Sequence, residues 1–407
     1  QYLQRNGGYN NAYTARDRTN YHLEIQPEAF EGALDRFAQF FIAPKFTPEF
    51  NEREVNAVNS EFQKNLENDS WREFALRNSV YRPGHPARNF SIGSRDTLKG
   101  TTREELLAFH NRYYSANRMS LSLTGPASLD RLEAWARAYF SAVPDNQRAE
   151  LRFAPDYLPP KAALRLLRME PVKDLRRMTL SFPLPDLRAD AGSKPAELVG
   201  FVLGTEGKGS LLAALKGEGL ATGLGAGASA DTPDYGSFDI SISLTPQGLA
   251  QYERVLSMVF ATIGQLRRSG VPAYVFNERR TMAALDERFR DKGEGANLAV
   301  ALANSVMDYP IEIAERMPYL WLREDPAAVQ KVLGQFRPDN LLVTLVATGL
   351  PADKVEPFFG TRYSYVEDSG SAWVALTQPP TLAAVGLPPP NAYVPTRTGV
   401  LPIVPVR

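Results

Sequence analysis

The sequence contains no cysteine, and only three of its 407 residues are histidine. Without thiols, the chain can form neither disulfides nor a thiolate metal site, and it has no cysteine nucleophile. A protein zinc site takes three or four nitrogen, oxygen or sulfur ligands. The three histidines, His22, His85 and His110, include no His-x-x-x-His pair. From the residues alone, each is interpreted as a structural or surface imidazole, and no complete metal site can be assembled.

Net charge and long apolar runs are also missing. Lys+Arg and Asp+Glu both number 46, so the formal net charge is zero. This balance gives no electrostatic basis for binding nucleic acid or an anionic membrane surface. No apolar run approaches the roughly 20 residues of a membrane span. The chain begins at Gln1 without a signal sequence, and we expect the numbering to start inside a longer gene product.

An internal repeat is the main positive feature of the sequence. Phe50-Asn51-Glu52-Arg53 reappears as Phe276-Asn277-Glu278-Arg279, and other segments correspond in the same order. These further pairs are residues 7–14 with 223–228, 21–25 with 238–242, and 117–125 with 340–349. A repeat of this length indicates one structural unit written twice.

The repeat predicts an α+β fold of two units, each a mostly antiparallel sheet with helices packed on one face. We place the first unit at residues 1–146, the second unit at 147–385, and a proline-rich linker at 386–407. The alternating segment 119–125 is predicted to be a strand. Almost nothing precedes the glycine-rich strand of the first unit, so this unit is expected to lack its beginning.

Residues 50–62 are predicted to lie in one helix, which begins at Pro48 with Thr47 as its N-cap. Glu54 and Glu61 are seven residues apart and therefore share one helical face. For an isolated pair, the ordinary interpretation is a solvated acidic stripe. The second copy keeps the helix but has Arg280 at the position of Glu54. The carboxylate pair therefore belongs to the first copy alone, and we infer that this copy carries the chemistry.

Three long motifs carry a resemblance to a known family. They are GGYNNAYTARDRTNY at 7–21, ALDRFAQFF at 33–41 and REVNAVNSE at 53–61. Together they closely resemble the insulin-degrading enzyme and pitrilysin group of inverted-motif zinc metallopeptidases. The resemblance continues through segments 85–86, 109–114 and 206–212 and covers essentially the whole chain.

The resemblance implies a zinc site of which this chain holds one part. Family members carry His-x-x-Glu-His on a helix just before the stretch where this chain starts. Glu61 matches the third metal ligand of the family, and Glu54 matches a carboxylate that supports the ligands. The histidines and the catalytic glutamate are absent here. We therefore expect zinc in the full-length protein, and neither tightly bound zinc nor peptide cleavage in this chain alone.

The resemblance also implies two substrate-binding strands. Asn11, Ala12 and Tyr13 match the edge strand on which a peptide lies as an added strand. Without the resemblance, they are interpreted as an ordinary sheet edge. The segment Leu224, Gly225, Ala226 and Gly227 matches an exosite strand that holds the amino end of the substrate. Small residues there let another backbone approach closely.

The resemblance implies that this chain is the N-terminal part of a zinc endopeptidase. The whole enzyme would degrade peptides and small proteins in an enclosed chamber. A homologous C-terminal half would close that chamber. The alternative is a non-catalytic homologue that acts as a binding or structural partner of an active subunit. The presence of both Glu54 and Glu61 argues against this alternative. The residues encoded before Gln1 would decide between the two functions, because an intact inverted motif there would support the enzyme. Glu287 is the counterpart of Glu61 in the second unit, which is expected to be metal-free. By analogy, we expect a periplasmic or secreted location.

Overall fold

The computed structural model describes residues 1–230, 232–291, 293–396 and 399 of the chain. The helices are α1 Tyr2–Arg5, α2 Phe30–Ile42, α3 Pro48–Asn65, α4 Asp69–Ser79, α5 Arg103–Tyr113, α6 Leu129–Phe140, α7 Pro195–Leu203, α8 Leu211–Gly217, α9 Pro246–Ala250, α10 Tyr252–Ser269, α11 Ala273–Phe289, α12 Gly295–Asp308, α13 Pro326–Leu333 and α14 Ser371–Thr377. The strands are β1 Tyr9–Thr14, β2 Thr19–Glu24, β3 Leu164–Met169, β4 Arg177–Pro185, β5 Ala221–Ala230, β6 Tyr235–Leu244, β7 Leu342–Val346, β8 Lys354–Val355 and β9 Arg362–Asp368.

The first unit is built on a two-stranded antiparallel sheet, β1–β2, with α2 against one face. The apolar stripe of α2 buries Ala33, Leu34 and Ala38. Tyr21 of β2 meets Phe41 of α2 edge to face, with 5.6 Å between the ring centroids. Aromatic contacts of this kind hold the hairpin on the helix layer.

The second unit is built on a seven-stranded sheet in the order β5-β6-β4-β7-β3-β9-β8. Only the β3–β7 pair is parallel among the described strands. The larger core cluster lies between this sheet and the helices of the same unit, where Phe182, Phe238 and Phe336 are fully buried and their rings are in contact. The mixed α+β architecture predicted from the repeat is confirmed.

The other face of the seven-stranded sheet is covered by α4, which belongs to the first unit. Leu76 of α4 is fully buried in a cluster with Tyr235 and with residues of β3 and β7. The Asp69 carboxylate accepts hydrogen bonds from the backbone N–H groups of Val172 and Lys173 at 2.8 and 3.0 Å. The two units therefore share a core, which the repeat alone did not predict.

One local expectation was wrong. Segment 119–125 is not a strand. Its counterpart β7 pairs with β3 and β4, whereas the described chain has no strand before β1 to pair with 119–125. Helices α9 and α10 are separated at Gln251. Thr47 occupies the N-cap position of α3, as predicted, although its hydroxyl has no hydrogen-bond partner among the described residues.

The proline-rich segment from 378 to 396 has no helix or strand. It follows the surface of the second unit, where the Gly386 N–H donates to the Gly209 carbonyl at 2.8 Å and the Asn391 N–H donates to Glu278 at 2.8 Å. Residues 397, 398 and 400–407 of the predicted linker lie outside the described residues. Among the described helices, none is both long and apolar enough to cross a bilayer.

Candidate functional site

Helix α3 presents Glu54 and Glu61 to solvent. It runs without interruption from Pro48 to Asn65, so the two glutamates lie two turns apart on one face, as predicted. Both side chains are exposed. Among the described residues, neither carboxylate has a hydrogen-bond or ion-pair partner. The two carboxylates are therefore available to a ligand.

Another face of α3 packs on a loop and fixes the rotation of the helix. Arg95 donates to the Asn56 side-chain oxygen at 2.9 Å, and its backbone N–H donates to Asn59 at 3.0 Å. Gly93 in this loop has φ +92°, and a Cβ there would lie 3.2 Å from Val58 Cγ1. Glycine thus allows the loop to approach the helix closely, and this contact leaves the glutamate face open.

The carboxyl-terminal half of α3 is anchored by aromatic residues. Phe62, the only buried residue of α3, meets Phe90 and Phe359 edge to face at 5.5 and 5.4 Å. Phe359 comes from the β8–β9 loop of the second unit. Arg72 donates to the Phe359 carbonyl at 3.0 Å and to the Leu66 carbonyl at 3.1 Å. The second unit therefore positions the residue next to Glu61.

The counterpart of Glu61 in the second unit is bonded differently. Glu287 on α11 pairs with Arg316, with 2.5 Å between Arg316 Nε and a Glu287 carboxylate oxygen. The hydrogen bond from Arg316 lowers the pKa of Glu287 below its usual value. Glu287 therefore forms a structural ion pair, whereas Glu61 has no such partner among the residues that the structure describes.

Strand β1 is the open edge of the two-stranded sheet. All of its residues, Asn11, Ala12 and Tyr13 among them, are exposed. The Ala15 N–H donates to the Arg18 carbonyl at the end of the hairpin. By antiparallel alternation, the N–H groups of Asn10, Ala12 and Thr14 then point to the free edge. The Ala12 N–H donates to the Asn11 side-chain oxygen at 2.9 Å, so one edge donor is covered locally.

Strand β2 holds β1 against the helix layer. The Tyr21 and Tyr114 hydroxyls are 2.6 Å apart. Burial, together with this contact, raises the pKa of Tyr21 well above its usual value, so the phenol stays protonated and remains a donor or an acceptor to Tyr114.

Strand β5 is one of the two edge strands of the seven-stranded sheet, and β8 is the other. Leu224 and Ala226 pack against the core of the second unit. Gly225 and Gly227 point to the opposite face, where an added Cβ would meet no described atom within 4 Å. Packing within the described chain would therefore allow a larger residue at either position. The space beside the two glycines is open to another backbone. The two predicted substrate strands thus lie in different sheets.

None of the three histidines lies beside Glu61 in a ligand cluster. His85 is buried, bonded through one ring nitrogen to the Ala154 carbonyl at 2.7 Å and through the other to the Ala87 N–H at 3.1 Å. His22 contacts Asn20 at 3.0 Å. Burial lowers the pKa of His110, which stacks on Tyr114 at 4.5 Å. All three support the structural interpretation made from the sequence.

The described residues do not form a whole metal site. They contain no group of three His, Asp or Glu side chains that could hold a metal ion. Glu61 offers one oxygen donor on a fixed helix, whereas a zinc site needs three or four donors. The residues present therefore fit one ligand position and not a zinc centre.

Three family models together cover nearly the whole chain. "Insulinase (Peptidase family M16)" matches residues 1–84, "Peptidase M16 inactive domain" matches 101–282, and "Middle or third domain of peptidase M16" matches 288–405. The chain belongs to the M16 family of peptidases. The resemblance seen in the three sequence motifs is thereby confirmed.

Known members of the M16 family align with the chain along its full length. It is 35% identical to the A-factor-processing enzyme of Saccharomyces cerevisiae over 97% of this chain and 39% of that protein. It is 34% identical to the insulin-degrading enzyme of Homo sapiens over 99% of this chain and 40% of that protein. The chain thus spans about two fifths of the length of these relatives.

Solved structures show the same fold. Pitrilysin superposes with a TM-score of 0.92 and 26% identity, over 98% of this chain and 43% of that protein. The first half of the periplasmic protease PqqL from Escherichia coli shares the fold, with a TM-score of 0.65 and 19% identity over 84% of this chain and 75% of that one. The pitrilysin match extends across both units.

Sequence reasoning missed the residues that hold the candidate site in place. Phe90 and Phe359 anchor α3, and neither belongs to a recognised motif. Phe62 follows Glu61 directly in the sequence. An apolar residue at this position of a polar helix was the one signal in the sequence that could have indicated the anchoring contact. Its partners lie far away in the sequence, so no local pattern could identify them.

Proposed function

We propose that this chain is the N-terminal part of a zinc-dependent endopeptidase that degrades peptides and small proteins in an enclosed chamber. A homologous C-terminal half of the same protein would close that chamber. Membership of a peptidase family and the pitrilysin-like fold support the proposal. The division into units at 1–146 and 147–385 is part of the same proposal.

The observation that carries the proposal is the free carboxylate of Glu61. A helix held on one side by Arg95 and at its end by Phe62 presents this carboxylate without a protein partner among the described residues. A fixed, unpaired carboxylate oxygen suits a metal-ligand position. Bound zinc would lower the pKa of a water molecule to about 7 and so make hydroxide available at neutral pH. Glu54, on the same face, would orient the ligands.

Substrate would bind as an added strand on β1. The exposed edge offers backbone N–H and C=O groups around Ala12, and extended peptides recognise such edges through main-chain hydrogen bonds. Strand β5 would hold the amino end of a longer substrate beside Gly225 and Gly227, where the sheet face is open.

The test uses the full-length protein with Glu61→Gln and the control Glu52→Gln, an exposed glutamate on the same helix. Zinc content is measured by elemental analysis, and cleavage is measured with a quenched fluorescent peptide. We expect Glu61→Gln to lose most zinc and activity, and Glu52→Gln to keep both. Full zinc and full activity in Glu61→Gln would refute the assignment, and a full-length protein without peptidase activity would support the non-catalytic alternative.

The 407-residue chain alone is expected to hold no zinc tightly and to cleave no peptide, because it provides one ligand position. Stoichiometric zinc in the purified chain would contradict this expectation. A periplasmic or secreted location also remains a prediction, since a periplasmic protease and a peroxisomal insulin-degrading enzyme of Arabidopsis thaliana are both among the similar proteins. Cell fractionation of the source organism would test the location.

A further inference from the structure

Helix α12 of the second unit lies along the β1–β2 hairpin of the first unit. Its first residues contact Glu24 at one end of β2, and its last residue contacts Arg18 just before the other end. The helix therefore runs antiparallel to β2. From 296 to 308 it rises by about 18 Å, and β2 extends by about 20 Å between residues 18 and 24. The two elements match in length, so the hairpin is held at both ends.

The turn end of the hairpin is held by a bidentate ion pair. Arg18 donates to both carboxylate oxygens of Asp308 at 3.0 and 3.1 Å. The same guanidinium also donates twice to Asp17 at 3.2 Å. The side chain of Arg18 is 26% exposed, that of Asp308 is 24% exposed and that of Asp17 is 11% exposed. The ion pair between Arg18 and Asp308 is therefore partly shielded from water. Bidentate pairing fixes direction as well as distance.

The opposite end is held by the N-terminus of α12. The Ala296 N–H donates to the Glu24 carboxylate at 3.2 Å. Gly295 has φ +55°, and a Cβ on it would lie 2.4 Å from a Glu24 carboxylate oxygen. Any other residue at 295 would be strained and would push Glu24 away. This close approach therefore requires glycine.

Charge placement on the hairpin complements the dipole of α12. The N-terminal end of a helix carries partial positive charge and the C-terminal end partial negative charge. The hairpin places the Glu24 carboxylate at the first end and the Arg18 guanidinium at the second. Asp308 is the last residue of the helix, where a carboxylate is disfavoured unless a cation neutralises it. Arg18 provides that neutralisation.

The middle of α12 contacts the candidate peptide strand directly. Asn304 Nδ2 donates to the Tyr13 hydroxyl at 2.7 Å. Tyr13, Asn11 and Tyr9 share one face of β1, because side chains alternate along a strand. Asn304 thus fixes the side chain that stands beside Ala12 at the open edge.

We propose that α12 positions the β1 edge for peptide binding, with Asp308, Gly295 and Asn304 as positioning residues supplied by the second unit. This inference rests on the proposed role of β1 in binding an extended peptide. The rigid hairpin keeps the edge N–H and C=O groups in register, so a peptide that pairs with β1 does not have to order the strand first.

The test uses the 407-residue chain and a fluorescein-labelled peptide of alternating valine and threonine residues, whose composition favours an extended strand. Fluorescence anisotropy gives Kd for the variants Asp308→Asn, Gly295→Ala and Asn304→Ala. Glu312→Gln is the matched control, because Glu312 is an exposed carboxylate four residues beyond Asp308. We expect Kd to rise about fivefold or more in the three variants and to stay unchanged in the control.

Two further readouts separate positioning from general loss of structure. Hydrogen–deuterium exchange of segment 9–24 is expected to become faster in Asp308→Asn and Gly295→Ala while the exchange of β6 does not change. Tyr13→Phe combined with Asn304→Ala is expected to weaken binding no more than either change alone, because both remove the same hydrogen bond.

The outcomes separate the two proposals. If the wild-type chain binds the peptide and all three variants keep the wild-type Kd and exchange, the positioning role of α12 is wrong. If the wild-type chain does not bind the peptide, the edge-strand part of the proposed function is wrong, and the purpose assigned to α12 is wrong with it. In that case, exchange still shows whether α12 holds the hairpin.

Discussion

The side-chain oxygen of Asn11 accepts a hydrogen bond from the backbone N–H of Ala12 at 2.9 Å. This contact occupies a donor at the open edge of β1, the position that a bound peptide carbonyl would take. An unpaired strand edge invites uncontrolled pairing. The Asn11 side chain therefore covers this donor, and under the proposed function a bound peptide would have to displace it.

Replacing Asn11 with alanine is expected to tighten peptide binding. The labelled peptide would no longer have to displace the side chain, and a net hydrogen bond is worth about 0.5–1.5 kcal/mol, or roughly twofold to tenfold in Kd. Fluorescence anisotropy with the 407-residue chain measures the change, and Asn10→Ala is the control because Asn10 lies on the other face of β1. Weaker binding in Asn11→Ala would instead show that the carboxamide contacts the peptide.

Replacing Phe359 with alanine is expected to destabilise the whole chain by about 3–5 kcal/mol, the usual cost of removing a buried phenyl ring. Phe359 is 5% exposed, and its ring contacts Phe62 and Phe90. Urea unfolding followed by circular dichroism gives the free energy of unfolding. Phe358→Ala is the comparison, because Phe358 is 37% exposed and should cost less. Equal losses in both variants would argue against the anchoring role of Phe359.

Replacing Gly225 and Gly227 with valine is expected to separate binding from stability. A Cβ at either position meets no described atom, and valine favours strands, so the free energy of unfolding should stay the same or rise by up to about 1 kcal/mol. Binding of a long peptide to β5 should weaken, because the branched side chains fill the open face. Ala228→Val, whose side chain points to the other face of β5, is the control. If the double variant binds the long peptide as tightly as the wild-type chain does, β5 is not an exosite.

Protonation of His110 is expected to lower stability as the pH falls. Burial lowers the pKa of His110 in the folded chain below its ordinary value near 6.5, so the unfolded chain binds more protons over the interval below that value. The stability contribution is therefore present above pH 6.5 and is lost as the pH falls through the folded pKa. Thermal unfolding midpoints between pH 7.5 and pH 5 should fall less in His110→Gln than in the wild-type chain. Parallel curves would show that His110 is not responsible.

Local sequence patterns predicted the local elements well. Thr47 occupies the N-cap position of α3, as the sequence predicted. Glu54 and Glu61 lie on one face of α3 because helical geometry fixes that relationship. Each of these features depends on residues close together in the chain.

Contacts between the units could not be predicted in this way. Arg77 donates to Asp239 and Ser181, and Arg18 donates to Asp308, yet each pair is separated by more than a hundred residues. Segment 119–125 shows the same limit, because it has the alternation of a strand but no neighbouring strand among the described residues. A strand needs a partner as well as a pattern.

The reciprocal placement of α4 and α12 has a consequence for the stability of each unit. Each unit contributes one helix to the sheet of the other, because α4 packs on β3 and β7 and α12 packs on β2. This placement resembles that of a homodimer whose subunits exchange equivalent elements. Removing either unit would uncover part of the sheet of the other, so neither unit is expected to be stable alone.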